Sequence, residues 1–463
     1  MQPPFSFEVV LIFGTMAVFL LIGVFLRAHV TVFQRFLFPS CLIGGVLGLI
    51  ALSCGLLPFT AEQFEAFAFH LFVISFISVG LTHDGEKEKK KGAQKEFLKG
   101  AWWMALMEGV TISLQGLVGC LLVLFFAVIG IKLFPTFGLF LPLGFTEGPG
   151  QALSIGKSWE AFGFVNAGTI GLTFAVAGFF FAFFVGVPLV NWGIRKGLTT
   201  HGPVELPRDL LRGIISEEKP KEPAGELTMH SGNIDTLAFQ MALVGLVYVL
   251  SYFAVLGVNS ILPEKATQAM WGFFFFFGMF IAILVRMLMR KAKIMRLIDP
   301  GVQRRITGWA VDFLIVATVM AVQVKVVFDN IVPIVVMSLA AGILTTMAVV
   351  YFGRRLDKYN LERTVAIFGT VTGTVSSGLL LLRIADPEFR TPVAFELGFM
   401  NIMVMPLIVT SMILVNAPVW WNWGLWLTAA AHVGLLLLCV ILLKLSKLWG
   451  PKQTWSAGSG AGE

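Results

Sequence analysis

"LPLGFTEGPGQALSIGKSWE", residues 141–160, decides how this chain is read. It lies between two long apolar runs, near 99–131 and 164–193, so it belongs in a membrane or at its surface. Yet it holds Gly144, Gly148, Pro149 and Gly150, which break helices, and a carboxylate, Glu147. Non-helical backbone at membrane depth is tolerated only where protein buries it or where it lines a wet cavity. A break with a charge on it therefore points to a site inside a membrane protein.

The rest of the chain supports that setting. Of 463 residues, 57% are hydrophobic and 13% charged, which is more apolar surface than a soluble core of this length needs. Apolar runs recur near 6–26, 37–57, 64–82, 99–131, 164–193, 234–258, 268–289, 308–328, 330–352, 394–416 and 423–445, which predicts eleven spans. Two more stretches, about 135–160 and 362–384, are apolar but broken. The N-terminal run has no basic region before it and no small-residue cleavage site, so it reads as a retained first helix. Cys41, Cys54, Cys120 and Cys439 all fall in apolar runs and read as buried thiols. No phosphate-binding loop, zinc motif or nucleophile–base constellation is visible, so the chain reads as a non-enzyme without a cofactor.

Basic residues orient the spans. Arg27 and Arg35 follow the first span, and Lys87, Lys89, Lys90, Lys91, Lys95 and Lys99 follow the third. Arg195, Lys196, Arg208, Arg212, Lys219 and Lys221 follow the fifth, a group from Arg290 to Arg305 follows the seventh, and Arg354, Arg355, Lys358 and Arg363 follow the ninth. The alternation holds only if both broken stretches enter and leave on one side, as re-entrant hairpins. The N-terminus is then outside, and the C-terminus, with Lys444, Lys447 and Lys452, is cytoplasmic. The basic loops serve orientation and predict no nucleic-acid partner.

The chain divides into two halves. Residues 1–194 hold five spans and the hairpin near 135–160, and 195–233 is a flexible cytoplasmic linker rich in Pro, Gly and charge. Residues 234–416 hold five more spans and the hairpin near 362–384, and 417–463 add one helix and a tail. Five is odd, so the second half runs with inverted topology. The two breaks align as "GFTEGPGQALSIGKSWEAFG" from Gly144 and "GTVTGTVSSGLLLLRIADPE" from Gly369, with Gly148 opposite Gly373. Inverted repeats with paired broken segments point to a secondary transporter whose site lies where the two tips meet. The fold class is thus an all-α polytopic membrane protein of two inverted five-helix repeats, each with a re-entrant hairpin, plus one C-terminal helix.

"FPSCLIGGVLGLI" (38–50), "ISFISVGLT" (74–82) and "GFVNAGTIGLTFAVAGFFFAFFVGVPLV" (163–190), together with the glycine-rich break, resemble the bacterial sodium/glutamate symporter family across roughly residues 8–416. The resemblance implies a homodimer in the bacterial inner membrane, inward sodium movement as the coupling, and glutamate or a related small carboxylate as substrate. The hairpins of that family are richer in glycine. Here Thr146-Glu147-Gly148-Pro149-Gly150-Gln151 and Thr370 to Ser377 stand in their place. A carboxylate at the tip suits a cation or a proton relay.

The residues expected at the substrate and ion site are Thr146, Glu147, Gly148, Gly150, Gln151 and Ser154 from the first break, and Thr370, Thr372, Gly373, Thr374, Ser376 and Ser377 from the second. Freed carbonyls and hydroxyls there can ligate a hard cation, and helix N-termini can hold an anion. Glu108, Arg383 and Asn401 are candidates for the transport path, as is Gln115. Each has a structural alternative: Glu147 pairing with Lys157, Arg383 with Asp386, Asp312 with Arg304 or Arg305, Glu396 with a basic group near the membrane surface, the hydroxyls back-bonding to their own helices, and the amides joining neighbouring helices. Proton coupling through Glu147 with another organic anion is the closest alternative function, and a channel or a sensor without turnover is the alternative from another class.

Overall fold

The computed structural model describes residues 5–82, 91–201, 208–216, 223–263, 267, 270–387 and 389–450, without the side chains of 91–94. Lys87, Lys89, Lys90, Lys219, Lys221 and Lys452 lie outside the described residues. Every described element is helical, and eight helices are long and apolar enough to cross a membrane: Glu8–His29, Ala61–Leu81, Lys95–Val128, Ala167–Arg195, Thr236–Asn259, Ile331–Gly353, Val393–Trp420 and Leu425–Leu445. The other three predicted runs are helices too, but each falls short of that standard. Ser40–Ser53 has only 14 residues. Phe274–Lys291 carries Arg286, Arg290 and Lys291, and Pro300–Met320 carries Arg304, Arg305 and Asp312.

Local chemistry sets several of the ends. Thr60 and Gln63 form a reciprocal cap on Ala61–Leu81, and the Asp235 carboxylate accepts the Leu237 N–H at 2.8 Å to open Thr236–Asn259. Pro300–Met320 starts eight residues before the apolar run near 308–328. Asp299 caps it by accepting the Val302 N–H at 2.6 Å, and Pro300 takes the first helical position, where its missing N–H costs nothing. A polar first turn hid that start from hydropathy.

The helices sort into two bundles. Glu8–His29, Ser40–Ser53, Ala61–Leu81, Thr236–Asn259, Phe274–Lys291 and Pro300–Met320 pack on one another. Lys91–Val128, Ala167–Arg195, Ile331–Gly353, Val393–Trp420, Leu425–Leu445 and both broken segments pack in a second group. The chain passes between them after residues 82, 195 and 320. Lys91–Val128 is the axis of the second bundle, touching Ile331–Gly353, Val393–Trp420, Leu425–Leu445 and both broken segments. At about 1.5 Å per residue its 38 residues outrun the hydrocarbon thickness.

Phe274 and Phe275 fill the first bundle, with Phe275 fully buried against Phe72 and Phe76 at ring distances of 4.9 and 5.1 Å, while Phe273 meets Trp420 of the second. Two expectations meet the structure differently, the flexible linker and the burial of Cys54. The linker near 195–233 is anchored where it is described: Arg208–Arg212 is a short helix, and Arg27 donates to the Leu210 carbonyl at 3.0 Å. Cys41, Cys120 and Cys439 are buried, but Cys54 is exposed, because Ser40–Ser53 ends just before it.

Candidate functional site

The first break begins at Pro142. Residues Pro142–Thr146 form a wide helical turn, with the Glu147 N–H bonded to the Pro142 carbonyl at 3.1 Å. Gly148 then takes φ 91°, in the region that favours glycine, and the helix restarts at Pro149. In the second break, the helix Asn360–Val371 ends, Thr374 is extended, and Val375–Ala385 follows. The two legs cross at glycines: a Cβ on Gly369 would stand 2.8 Å from the Gly378 Cα.

The two breaks touch. A Cβ on Gly148 would stand 3.4 Å from both the Gly373 carbonyl oxygen and the Thr374 Cγ2. The two restarting helices therefore begin at one place. Their first backbone bonds run from Ala152 N–H to the Gly148 carbonyl and from Gly378 N–H to the Thr374 carbonyl. The N–H groups of Gly150, Gln151, Val375, Ser376 and Ser377 precede those bonds. Such groups lack an intrahelical acceptor and carry the positive end of the helix dipole.

Gln115, fully buried in Lys91–Val128, ties the breaks together. Its amide donates to the Thr345 hydroxyl at 3.1 Å and the Val371 carbonyl at 3.2 Å, and its oxygen accepts the Thr146 hydroxyl at 2.7 Å. The break thus frees a carbonyl, Val371, and the bundle axis answers it.

The breaks and the bundle axis also carry buried oxygens. Glu108 Oε2, Glu147 Oε1, Gln151 Oε1, Ser154 Oγ and Thr374 Oγ1 are each shielded from solvent and have no hydrogen-bond partner among the described residues. Glu108 and Glu147 are close enough for their charges to interact, and the Gln151 side chain lies beside the Glu147 carboxyl. Among the described residues no lysine or arginine is bonded to this set. A buried carboxylate without a counter-charge is costly, so this arrangement calls for a bound cation or a proton.

The remaining expected residues divide. Thr370 and Thr372 donate to the Ala366 and Phe368 carbonyls of their own helix, at 2.9 and 2.6 Å. Ser377 is buried beside Gly373, while Ser376 is exposed. Arg383 is exposed and stacks over Phe389 at 4.9 Å, so it is not brought to the breaks. Asp386 accepts from the Arg390 and Thr391 N–H groups and holds its own turn. Asn401 donates to Leu397 and Gly398 carbonyls one turn back in its own helix. Asp312 faces the Cys41 thiol. Lys157 pairs with Glu65 at 2.6 Å and Glu160 at 3.3 Å rather than with Glu147.

Two features were not foreseen. Thr345, the partner of Gln115, is one of several hydroxyls in its apolar run, with Ser338 and Thr346, and gives no signal of its own. Arg363, read from the sequence as an orienting charge, is buried and grips Glu396 through two bonds at 2.7 and 2.8 Å, with Glu96 at 3.2 Å. This anchors the foot of the second broken segment to Val393–Trp420 and Lys91–Val128. Comparison of the sequence with known protein families and with curated proteins finds no match.

Proposed function

We propose that this chain is a secondary active transporter of glutamate or a related small carboxylate, coupled to sodium, as its resemblance to the sodium/glutamate symporters implies. The observation that carries the proposal is the contact of the two breaks inside the second bundle, Gly148 against Gly373 and Thr374. Two restarting helices at one point offer paired N–H groups to an anion. The Glu108, Glu147, Gln151, Ser154 and Thr374 oxygens beside them suit a hard cation. Anion and cation then neutralise each other's cost in one buried site.

The fold reading completes the proposal. Each half contributes three helices to the first bundle, and a helix, a broken hairpin and a further helix to the second. That is the pattern two inverted five-helix repeats would make, with Leu425–Leu445 as an addition packed along Lys91–Val128. Alternating access would come from motion of the second bundle against the first. The membrane would be the bacterial inner membrane, with the N-terminus outside, the C-terminus cytoplasmic and two copies associated.

The pair of carboxylates also supports a second reading, in which Glu147 or Glu108 carries a proton instead of sodium ligation. Uptake of labelled glutamate into proteoliposomes separates the two. Accumulation under an inward sodium gradient, lost when potassium replaces sodium, supports sodium coupling. Accumulation that follows an imposed pH gradient and ignores sodium supports the proton. No accumulation of glutamate or of other small carboxylates under either gradient, from folded protein, contradicts both.

A further inference from the structure

A second site lies at one end of the second bundle. A groove of about 480 Å³ opens between the start of Lys91–Val128, the middle of Val393–Trp420 and the end of Leu425–Leu445. Its walls are Leu98, Trp102, Met403 and Leu448, and its polar rim is Lys95, Lys99 and Ser446. Lys95, Lys99 and Trp102 follow one another at helical spacing, so they share a face. The Trp102 indole N–H reaches Ser446 Oγ at 3.1 Å, joining two of the three helices across the groove floor. Tryptophan in this position is what a membrane–water boundary selects.

The charge of the rim is not answered by the protein. Lys95 and Lys99 are exposed and have no ion pair among the described residues. The nearest acid in sequence, Glu96, is turned to Arg363, which also takes Glu396. Lys444 and Lys447, at the end of Leu425–Leu445, add two more exposed ammonium groups. An apolar slot between membrane helices with uncompensated lysines at its mouth is complementary to one kind of molecule, an amphiphile with an anionic head.

We propose that this groove binds an anionic phospholipid, its phosphate between Lys95 and Lys99 and its upper acyl chain along Leu98, Trp102 and Leu448. Basic pockets between membrane helices at the positively charged side bind such headgroups. The proposal rests on the membrane-spanning reading and is independent of what the protein transports. The occupant would pin Leu425–Leu445 and Val393–Trp420 to the bundle axis.

The test is native mass spectrometry of the delipidated full chain, re-supplied with phosphatidylglycerol or with phosphatidylcholine. Lys95→Gln/Lys99→Gln is compared with Arg290→Gln/Lys291→Gln, which removes two exposed charges from the other bundle; melting in detergent confirms that both fold. The groove predicts retained phosphatidylglycerol in the unaltered protein, no comparable retention of phosphatidylcholine, and roughly 30-fold weaker retention in Lys95→Gln/Lys99→Gln alone, since each surface lysine is worth about one kcal/mol toward an anionic lipid. Equal retention of the two lipids, equal loss in both variants, or full displacement by glycerol phosphate would overturn it.

Discussion

Glu147 carries the charge proposed for the break. It sits at the helix break with one oxygen unpartnered, near Glu108 and beside Gln151. Glu147→Gln keeps size and hydrogen bonding but removes the charge. One charge carried across 100 mV is worth about 2.3 kcal/mol, or roughly 50-fold in accumulation, so this variant should exchange substrate across liposomes yet lose that concentrating power. Counterflow against net uptake measures the split. Gln115 makes a separate prediction. Gln115→Leu leaves the Thr146 and Thr345 hydroxyls and the Val371 carbonyl without this partner, at a cost of about 1–3 kcal/mol for a buried unsatisfied group, and should lower the melting midpoint. The burial of Glu147 at the break was legible in the sequence, because a carboxylate at a glycine-rich break inside an apolar chain has little water to turn to. Gln115 was only half legible, since a mid-span amide reads the same whether it bonds a neighbouring helix or faces a path. Here it does the first in a way that builds the site.

The two broken segments are the elements that matter most, and their chemistry was readable in advance. Pro142, Gly148 and Pro149 stop and restart one helix, and Gly373 lies in the gap of the other. Which hydroxyls face inward was not readable, because helical phase after a break depends on the angle at which the chain leaves it. Ser376 and Ser377 are neighbours, and only Ser377 is buried. Arg383 falls on the exposed side for the same reason. The foot of the second segment depends on Arg363, whose guanidinium and the Glu396 carboxylate are both shut away from solvent. Removing one member of such a pair strands the other, at a cost of about 3–5 kcal/mol, whereas removing both costs less. Arg363→Met should therefore melt well below the unaltered protein, and Arg363→Met/Glu396→Leu should recover part of the loss. A double variant less stable than either single one would contradict this anchoring role.

For the whole molecule, the eleven apolar runs and their order were legible, because burial in lipid demands them. The sorting into two bundles was not, since hydropathy carries no partner information. Polar and aromatic ties cross the seam between the bundles. The Lys157–Glu65 ion pair does so, Thr169 donates to Glu65 at 3.3 Å, and Phe38 meets Phe183 and Phe184. If the bundles slide, a bond across this seam stops transport. Gly272 in the first bundle and Ser158 in the second offer one, as a Cβ on Gly272 would stand 3.1 Å from the Ser158 Cβ, near disulfide range after a small shift. Gly272→Cys/Ser158→Cys should lose uptake on oxidation and regain it with reductant. Uptake unaffected by a complete cross-link would leave the bundles as one rigid unit.

The central claim is that the meeting point of the breaks is a transport site reached alternately from the two sides of the membrane. Its most direct test is a single cysteine at Thr374, placed in a chain whose four native cysteines are replaced by alanine and reconstituted in oriented vesicles. A membrane-impermeant thiol reagent is applied from each side, with and without sodium and substrate. Alternating access predicts labelling from both sides, with substrate and ion raising reactivity on one side as they lower it on the other. A cysteine open to both sides at once under every condition would mean a channel. A cysteine sealed from both sides under every condition would mean that the breaks are structural, and would contradict the account.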